Sequence, residues 1–339
     1  MNNSPELLHK LLYDKTGRKL SYSKDRDFPA WREELRSKLI ELIGMPLPPQ
    51  GKPKIIMEAR EETPSFQEIC FQFESEPDYF VPCRLLLPKN GEKPFRVMIC
   101  LQGHTSGMHL SLGRPKYEHD AEEIAGGRDF GVQAVNNGCA ALVMEQRGFG
   151  LCKASAGAET DCHAMAMQAL MLGRTLLGER VYDVSRAIDA LSCFPEIDLN
   201  RIGCMGNSGG GTTTYYAACL DERIKIAMPS CSVCTYFGSI FSLCHCQCNF
   251  IPHILEWFEM EDLAGLIAPR GLIVTAGRLD DIFPIKDTEI CFSGISHIYE
   301  AAGCGGHCRL VTGEGGHQFY PELAWPVFHE MINKERTRV

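Results

Sequence analysis

The sequence predicts an α/β protein: a mostly parallel central sheet of about eight strands with helices on both faces, preceded by a helical arm. Two observations carry this. Short apolar runs of strand length alternate with longer helical stretches, the pattern of a parallel sheet covered on both sides. A glycine-rich turn, Gly206-Asn207-Ser208-Gly209-Gly210, also stands between one such run and one such stretch.

In chain order, the strand-like runs are 67–73, 81–87, 96–101, 140–144, 202–205, 224–228, 272–276 and 309–311. The first two are close enough to pair as an antiparallel hairpin across 74–80. Helical stretches are expected at 117–136, 163–192, 209–220, 285–301 and 321–334. Residues 1–55 form the N-terminal arm, with an amphipathic stretch at 31–43 and a stop at Pro46-Leu47-Pro48-Pro49. Residues 56–339 form the main domain, with an insertion after the sixth strand at 231–262 that has room for a small cap. Six aromatics of that insertion, Tyr236, Phe237, Phe241, Phe250, Trp257 and Phe258, would either line a pocket or pack as core.

The serine turn is the chemically informative element. A Gly-x-Ser-x-Gly between strand and helix forces the serine into a strained backbone conformation that projects its hydroxyl from the turn. A hydroxyl is a poor nucleophile until a histidine takes its proton, and that histidine needs a carboxylate to fix its tautomer. Downstream, the run ending in Gly277 leads into Arg278-Leu279-Asp280-Asp281. The last run leads into Gly313-Glu314-Gly315-Gly316-His317. Serine, acid and histidine, each in a loop after a strand, follow the order of the α/β-hydrolase fold. The expected catalytic residues are Ser208, Asp280 and His317, with Asp280 or Asp281 also available to cap the following helix. His307 precedes the last strand instead of following it. An oxyanion hole needs two backbone N–H groups. Gly209 supplies one, and His104, in Gln102-Gly103-His104 after the third run, supplies the other.

Composition bounds the partners. The chain has 339 residues, 45% hydrophobic and 23% charged, with a net charge of -9. That acidic balance argues against nucleic acid and anionic membrane surfaces, and no apolar stretch reaches membrane-spanning length. The first residues lack the apolar core of a secretion signal, so a cytoplasmic location is expected. The 17 cysteines fit a reducing compartment better than a disulfide framework. The densest patch is Cys231, Cys234, Cys244, His245, Cys246 and Cys248. Its tight spacing does not suit paired zinc knuckles, so these are read as structural or pocket-lining thiols, with no metal and no cofactor.

The chain resembles the dienelactone-hydrolase and acetyl-xylan-esterase-like branch of the α/β-hydrolases over roughly residues 60 to 325. The matching motifs include Gln102-Gly103-His104, Glu145-Gln146-Arg147-Gly148-Phe149-Gly150, Gly206-Asn207-Ser208-Gly209-Gly210-Gly211, His245-Cys246-Gln247-Cys248-Asn249, Ala268-Pro269-Arg270 and Gly315-Gly316-His317. The resemblance places the acid at Asp280, three residues after the strand-terminal glycine. Gln102 for the usual histidine and Glu145 for the more common aspartate are departures. The resemblance implies a serine esterase acting on a small-molecule carboxylic ester through an acyl-enzyme, with homo-oligomerisation undecided. The rival readings are a small prolyl-peptidase-like amidase, and a catalytically silent or metal-binding protein on the same fold.

Overall fold

The computed structural model describes residues 3–45, 51–154, 157 and 159–336. Pro46-Leu47-Pro48-Pro49 lies outside the described residues. The frame is a nine-stranded sheet of order β1-β2-β3-β5-β4-β6-β7-β8-β9. Its members are β1 (Ile55–Glu62), β2 (Phe66–Glu76), β3 (Tyr79–Pro88), β4 (Phe95–Leu101), β5 (Ala140–Met144), β6 (Ile197–Asn207), β7 (Ile224–Ser230), β8 (Gly271–Gly277) and β9 (Cys308–Gly313). β1, β2 and β3 form an antiparallel meander joined antiparallel to β5, whereas β4 to β9 run parallel. The strand not anticipated is β1. It sits at the sheet edge, its apolar run ends at Met57, and Ile56, Met57, Glu58 and Glu61 are exposed, so it lacks the burial signal of the inner strands. With β1 counted, the 231–262 insertion follows the seventh strand, not the sixth.

Ten α-helices occur among the described residues: α1 (Pro5–Lys15), α2 (Phe28–Ile43), α3 (Asp120–Glu123), α4 (Phe130–Asn136), α5 (Cys162–Met171), α6 (Leu176–Leu191), α7 (Gly209–Leu220), α8 (Ala264–Ile267), α9 (Ile285–Ala301) and α10 (Pro321–Arg336). Two expected long helices are broken. The 117–136 stretch is interrupted by a π turn at Ile124–Arg128, where Gly127 takes φ +77°. A Cβ at Gly127 would stand 3.0 Å from the Phe319 carbonyl oxygen. The 163–192 stretch stops at Gly173 (φ +73°) and restarts at Thr175, whose hydroxyl accepts from the Gly178 N–H. In both places glycine reaches a backbone conformation that ends a helix.

The N-terminal arm folds onto the helical layer, not onto the sheet edge. α2 starts at the Asp27 cap and ends at Gly44 in the left-handed conformation. It buries Trp31, Leu35, Leu39 and Ile43, one stripe at helical spacing. The Trp31 indole N–H donates to the Leu20 carbonyl at 2.7 Å. Its ring lies against Gly265 of α8, where a Cβ would sit 2.5 Å from the indole carbons. α1 buries no residue; its Tyr13 packs on Phe237 and Phe241 of the insertion, with ring centroids 4.7 and 5.3 Å away. No helix among the described residues is long and apolar enough to cross a membrane.

Trp31 therefore clamps the arm to the body. Trp31→Ala should cost about 3–5 kcal/mol, the range for emptying a buried aromatic site. Urea unfolding followed by far-UV circular dichroism reads this directly, and a midpoint equal to the parent's would show that the arm adds no stability.

Candidate active site

β6 is buried from Ile202 onward and reverses at Ser208 into α7. Ser208 has φ +55° and ψ -125°, a conformation that costs a non-glycine residue on the order of 1–3 kcal/mol. Three hydrogen bonds hold it there. Its N–H donates to the Ser230 carbonyl at 2.9 Å, and its carbonyl accepts from the Thr212 N–H at 2.8 Å. The Ser230 hydroxyl donates to the Asn207 side-chain oxygen at 2.8 Å. α7 can approach this closely only because residue 210 is glycine: a Cβ there would lie 2.2 Å from the Leu101 carbonyl oxygen.

The turn after β4 lies directly against this elbow. A Cβ on Gly209 would stand 2.7 Å from His104 Cε1, and one on Gly103 would stand 3.0 Å from Ser208 Cβ. Gly209 and His104, expected as the oxyanion pair, are thus neighbours beside Ser208.

The loops after β8 and β9 are tied together: Arg278 N–H donates to the Gly313 carbonyl and Leu279 N–H to the Gly315 carbonyl, at 2.9 and 2.8 Å. This brings His317 Nδ1 to 2.9 Å from Asp280 Oδ2. The other oxygen, Oδ1, accepts the Ile282 and Phe283 N–H groups at 2.9 and 3.0 Å. Burial opposes the charged form of Asp280, but the hydrogen bond and charge of His317 and these backbone donors outweigh it. The carboxyl is held below its ordinary value, as expected of a carboxylate with several donors. Phe283 stacks on the His317 ring at 6.0 Å. Neither aspartate caps α9, whose N-cap is Pro284; Asp280 uses its spare oxygen on its own loop, and Asp281 is exposed.

Ser208, His317 and His104 share a cavity of about 290 Å³ with Glu123, Arg128, Cys244, His245, Cys246, Asn249, Ile282 and Phe283. Arg128 donates to the His317 carbonyl at 2.9 Å and forms an ion pair with Glu123. Sequence reasoning missed this pair because it assumed an unbroken helix; the Gly126-Gly127 pair was the available signal. The insertion's aromatics do not line this cavity. Tyr236 and Phe258 are core, Phe237 and Phe241 pack on Tyr13, and Trp257 lies under the ammonium groups of Lys19 and Lys38. Phe250 is exposed.

The cysteine patch does not act as one group. Cys231 packs beside Asp280 and His317 and contacts the Gln318 carbonyl, and Cys234 lies near Pro284. Cys246 and Cys248 turn the other way, towards His104 and Cys162. His307 contacts the Pro269 carbonyl, and its position leaves the candidate base as His317.

Residues 117–260 match a family model described as acetyl xylan esterase, a span that includes Ser208 but neither Asp280 nor His317. A protein of Bacillus subtilis (strain 168) named as a hydrolase, YtaP, is 25% identical over 301 residues, covering 84% of this chain and 94% of that protein. Among solved structures, a protein of Bacteroides fragilis named as an acetyl xylan esterase superposes with TM-score 0.77 at 17% identity, over 96% of this chain and 84% of that one. A glucuronoyl esterase of Solibacter usitatus superposes with TM-score 0.68 at 15% identity, over 94% of this chain and 98% of that one.

The elbow's dependence on close approach can be tested away from the reacting groups. Gly210→Ala should push α7 off β4, lowering the thermal midpoint by several degrees, the response to roughly 1–3 kcal/mol of overpacking. Differential scanning calorimetry measures it; an unchanged midpoint would mean the helix does not depend on this contact.

Proposed function

We propose that this chain, a carboxylic ester hydrolase of the α/β-hydrolase fold, removes small acyl groups, acetyl above all, from a polar carbohydrate-like alcohol through a Ser208–His317–Asp280 triad. The observation that carries the triad is the pairing of a serine at φ +55° with a His317–Asp280 hydrogen bond of 2.9 Å at one cavity. Strain at a non-glycine turn residue is retained where it positions a reacting group.

In this mechanism Ser208 Oγ attacks the ester carbonyl while His317 Nε2 takes its proton. His317 Nδ1–H donates to Asp280 Oδ2, which orients the ring and stabilises the imidazolium. The carbonyl oxygen becomes an oxyanion held by the backbone N–H groups of Gly209 and His104, aided by the positive end of α7. His317 then gives the proton to the departing alkoxide, leaving an acyl-Ser208. Water, deprotonated by His317, attacks that acyl group, and the tetrahedral intermediate collapses to carboxylic acid and free serine. Each proton removed is returned, so the enzyme is regenerated.

The substrate class rests on the walls. Glu123, Arg128, His245 and Asn249 make the cavity polar, and Ile282 and Phe283 are its aliphatic and phenyl contributions. Such a lining suits a hydroxyl-rich alcohol better than a long acyl chain. The acetyl xylan esterase match over 117–260 supports the same reading.

Ser208→Ala should abolish hydrolysis of an aryl acetate by up to about 10⁶-fold in kcat while folding normally, and should lose labelling by a fluorophosphonate. Activity within a few fold of the parent would remove Ser208 from the mechanism.

Asp280→Asn should lower kcat by about 10⁴-fold through loss of tautomer control, with Asp281→Asn close to the parent. The reverse ranking would move the acid to Asp281.

Acetylated xylo-oligosaccharides should be turned over faster than butyryl or octanoyl aryl esters. If kcat/KM rises with acyl length, or if only methyl esters of sugar acids react, the acetyl assignment fails while the triad stands.

A further inference from the structure

Behind His104, on the wall of the cavity, four soft ligand atoms converge. His104 offers a ring nitrogen and Cys162, Cys246 and Cys248 offer their sulfurs, all within 4.8 Å of one another. His104 Nε2 lies 3.1 Å from Cys248 Sγ. We propose that His104, Cys162, Cys246 and Cys248 form a closed structural zinc site.

The donor set is that of a Cys3His site. Bonds of about 2.0–2.3 Å to nitrogen and sulfur set tetrahedral ligand atoms roughly 3.3–3.8 Å apart, so the four atoms, within 4.8 Å of one another, would draw in by about an ångström or less around a central ion. Three thiolates and an imidazole select a borderline-soft cation such as zinc over magnesium or calcium. All four positions are protein ligands, which makes the site structural, with no open position for water. The ligands come from segments far apart in sequence: the turn after β4, the first residue of α5, and the Cys-x-Cys of the insertion, whose second cysteine lies in the 3-10 turn Gln247–Asn249.

A second observation points the same way. Three thiolates with a divalent ion leave one negative charge, and the adjacent Arg180 supplies one positive charge. Arg180 is buried, donates to Cys162 Sγ at 3.1 Å, and otherwise donates to the Arg147 carbonyl at 3.0 and 2.6 Å. Its guanidinium stacks on Phe149 at 4.3 Å and donates to no carboxylate among the described residues. A buried guanidinium without an anion is costly, and a zinc–tris(thiolate) centre is an anion of matching charge. Binding releases the thiol protons to solvent.

Zinc on Nε2 would leave the His104 proton on Nδ1, the ring nitrogen 3.0 Å from a Cβ built at Gly209, and would fix the ring against the elbow. It would also pin the insertion and α5 to the turn that carries the proposed oxyanion donor. The proposal departs from the sequence expectation of metal-free thiols, which considered ligands only within 231–248.

The test needs no variant at its core and reads metal, not turnover, so it stands apart from the triad assignment. Protein purified without chelator should hold about one zinc per chain by elemental analysis, released by an organomercurial that captures thiolates. Cobalt reconstitution should give thiolate-to-cobalt charge-transfer absorption and tetrahedral ligand-field bands. Removing the metal with 1,10-phenanthroline should lower the thermal midpoint and raise the number of thiols that react with Ellman's reagent. Cys162→Ser and Cys248→Ser should hold below about a tenth of a zinc per chain, while Cys244→Ser keeps it. Less than about a tenth of a zinc in both freshly purified and zinc-incubated parent protein would overturn the proposal. So would a disulfide among Cys162, Cys246 and Cys248 in protein purified under reducing conditions, or a cobalt spectrum without thiolate charge transfer.

Discussion

Everything at the candidate site depends on the backbone of Ser208 staying at φ +55°. That conformation is not the chain's local preference, so the rest of the sheet must impose it. β7 supplies the Ser230 carbonyl that takes the Ser208 N–H. α7 supplies the Thr212 N–H and, by pressing to within van der Waals contact of Leu101 and Gln102, removes the room for relaxation. The cost, on the order of a few kcal/mol, is offset by the packing of a wholly buried α7 between β6, β7 and the arm.

The same logic explains why the groups around Ser208 come from strand ends. β4, β6, β8 and β9 run parallel, so their carboxyl ends open on one side, and loops there converge without long excursions. His317 reaches Asp280 because two backbone hydrogen bonds lock their loops together before either side chain acts. His104 connects this side to the thiol cluster: one face of its ring meets the elbow, and its Nε2 meets Cys248. A single side chain therefore couples the cavity wall to the order of the insertion.

Glycine marks the places where local reading and tertiary structure part. In 117–136 the apolar spacing is helical, yet the chain turns at Gly127 with φ +77°, a position where Phe319 and Pro321 close in from the other end of the chain and leave no room for a Cβ. The resulting turn carries Arg128 to the His317 carbonyl. The insertion's aromatics could by composition line a pocket or pack as core; here Tyr236 and Phe258 are core, and the arm takes three others, Tyr13 holding Phe237 and Phe241 and Lys19 and Lys38 covering Trp257.

What the sequence by itself determined is what periodicity and short-range chemistry encode. Eight of the nine strands, the strand–turn–helix at 206–211, and the order of serine, aspartate and histidine in loops after strands were all legible. Each depends on neighbours within a few residues. The edge strand β1 was not, because half-exposed polar residues carry no burial signal. Only the tertiary structure decided which polar groups face the cavity and which thiols meet one another. Cys162 and His104 are 58 positions apart in the numbering, and no local rule pairs them. Parallel crossovers bring such residues together, and their proximity is a property of the closed sheet and its helices, not of any segment.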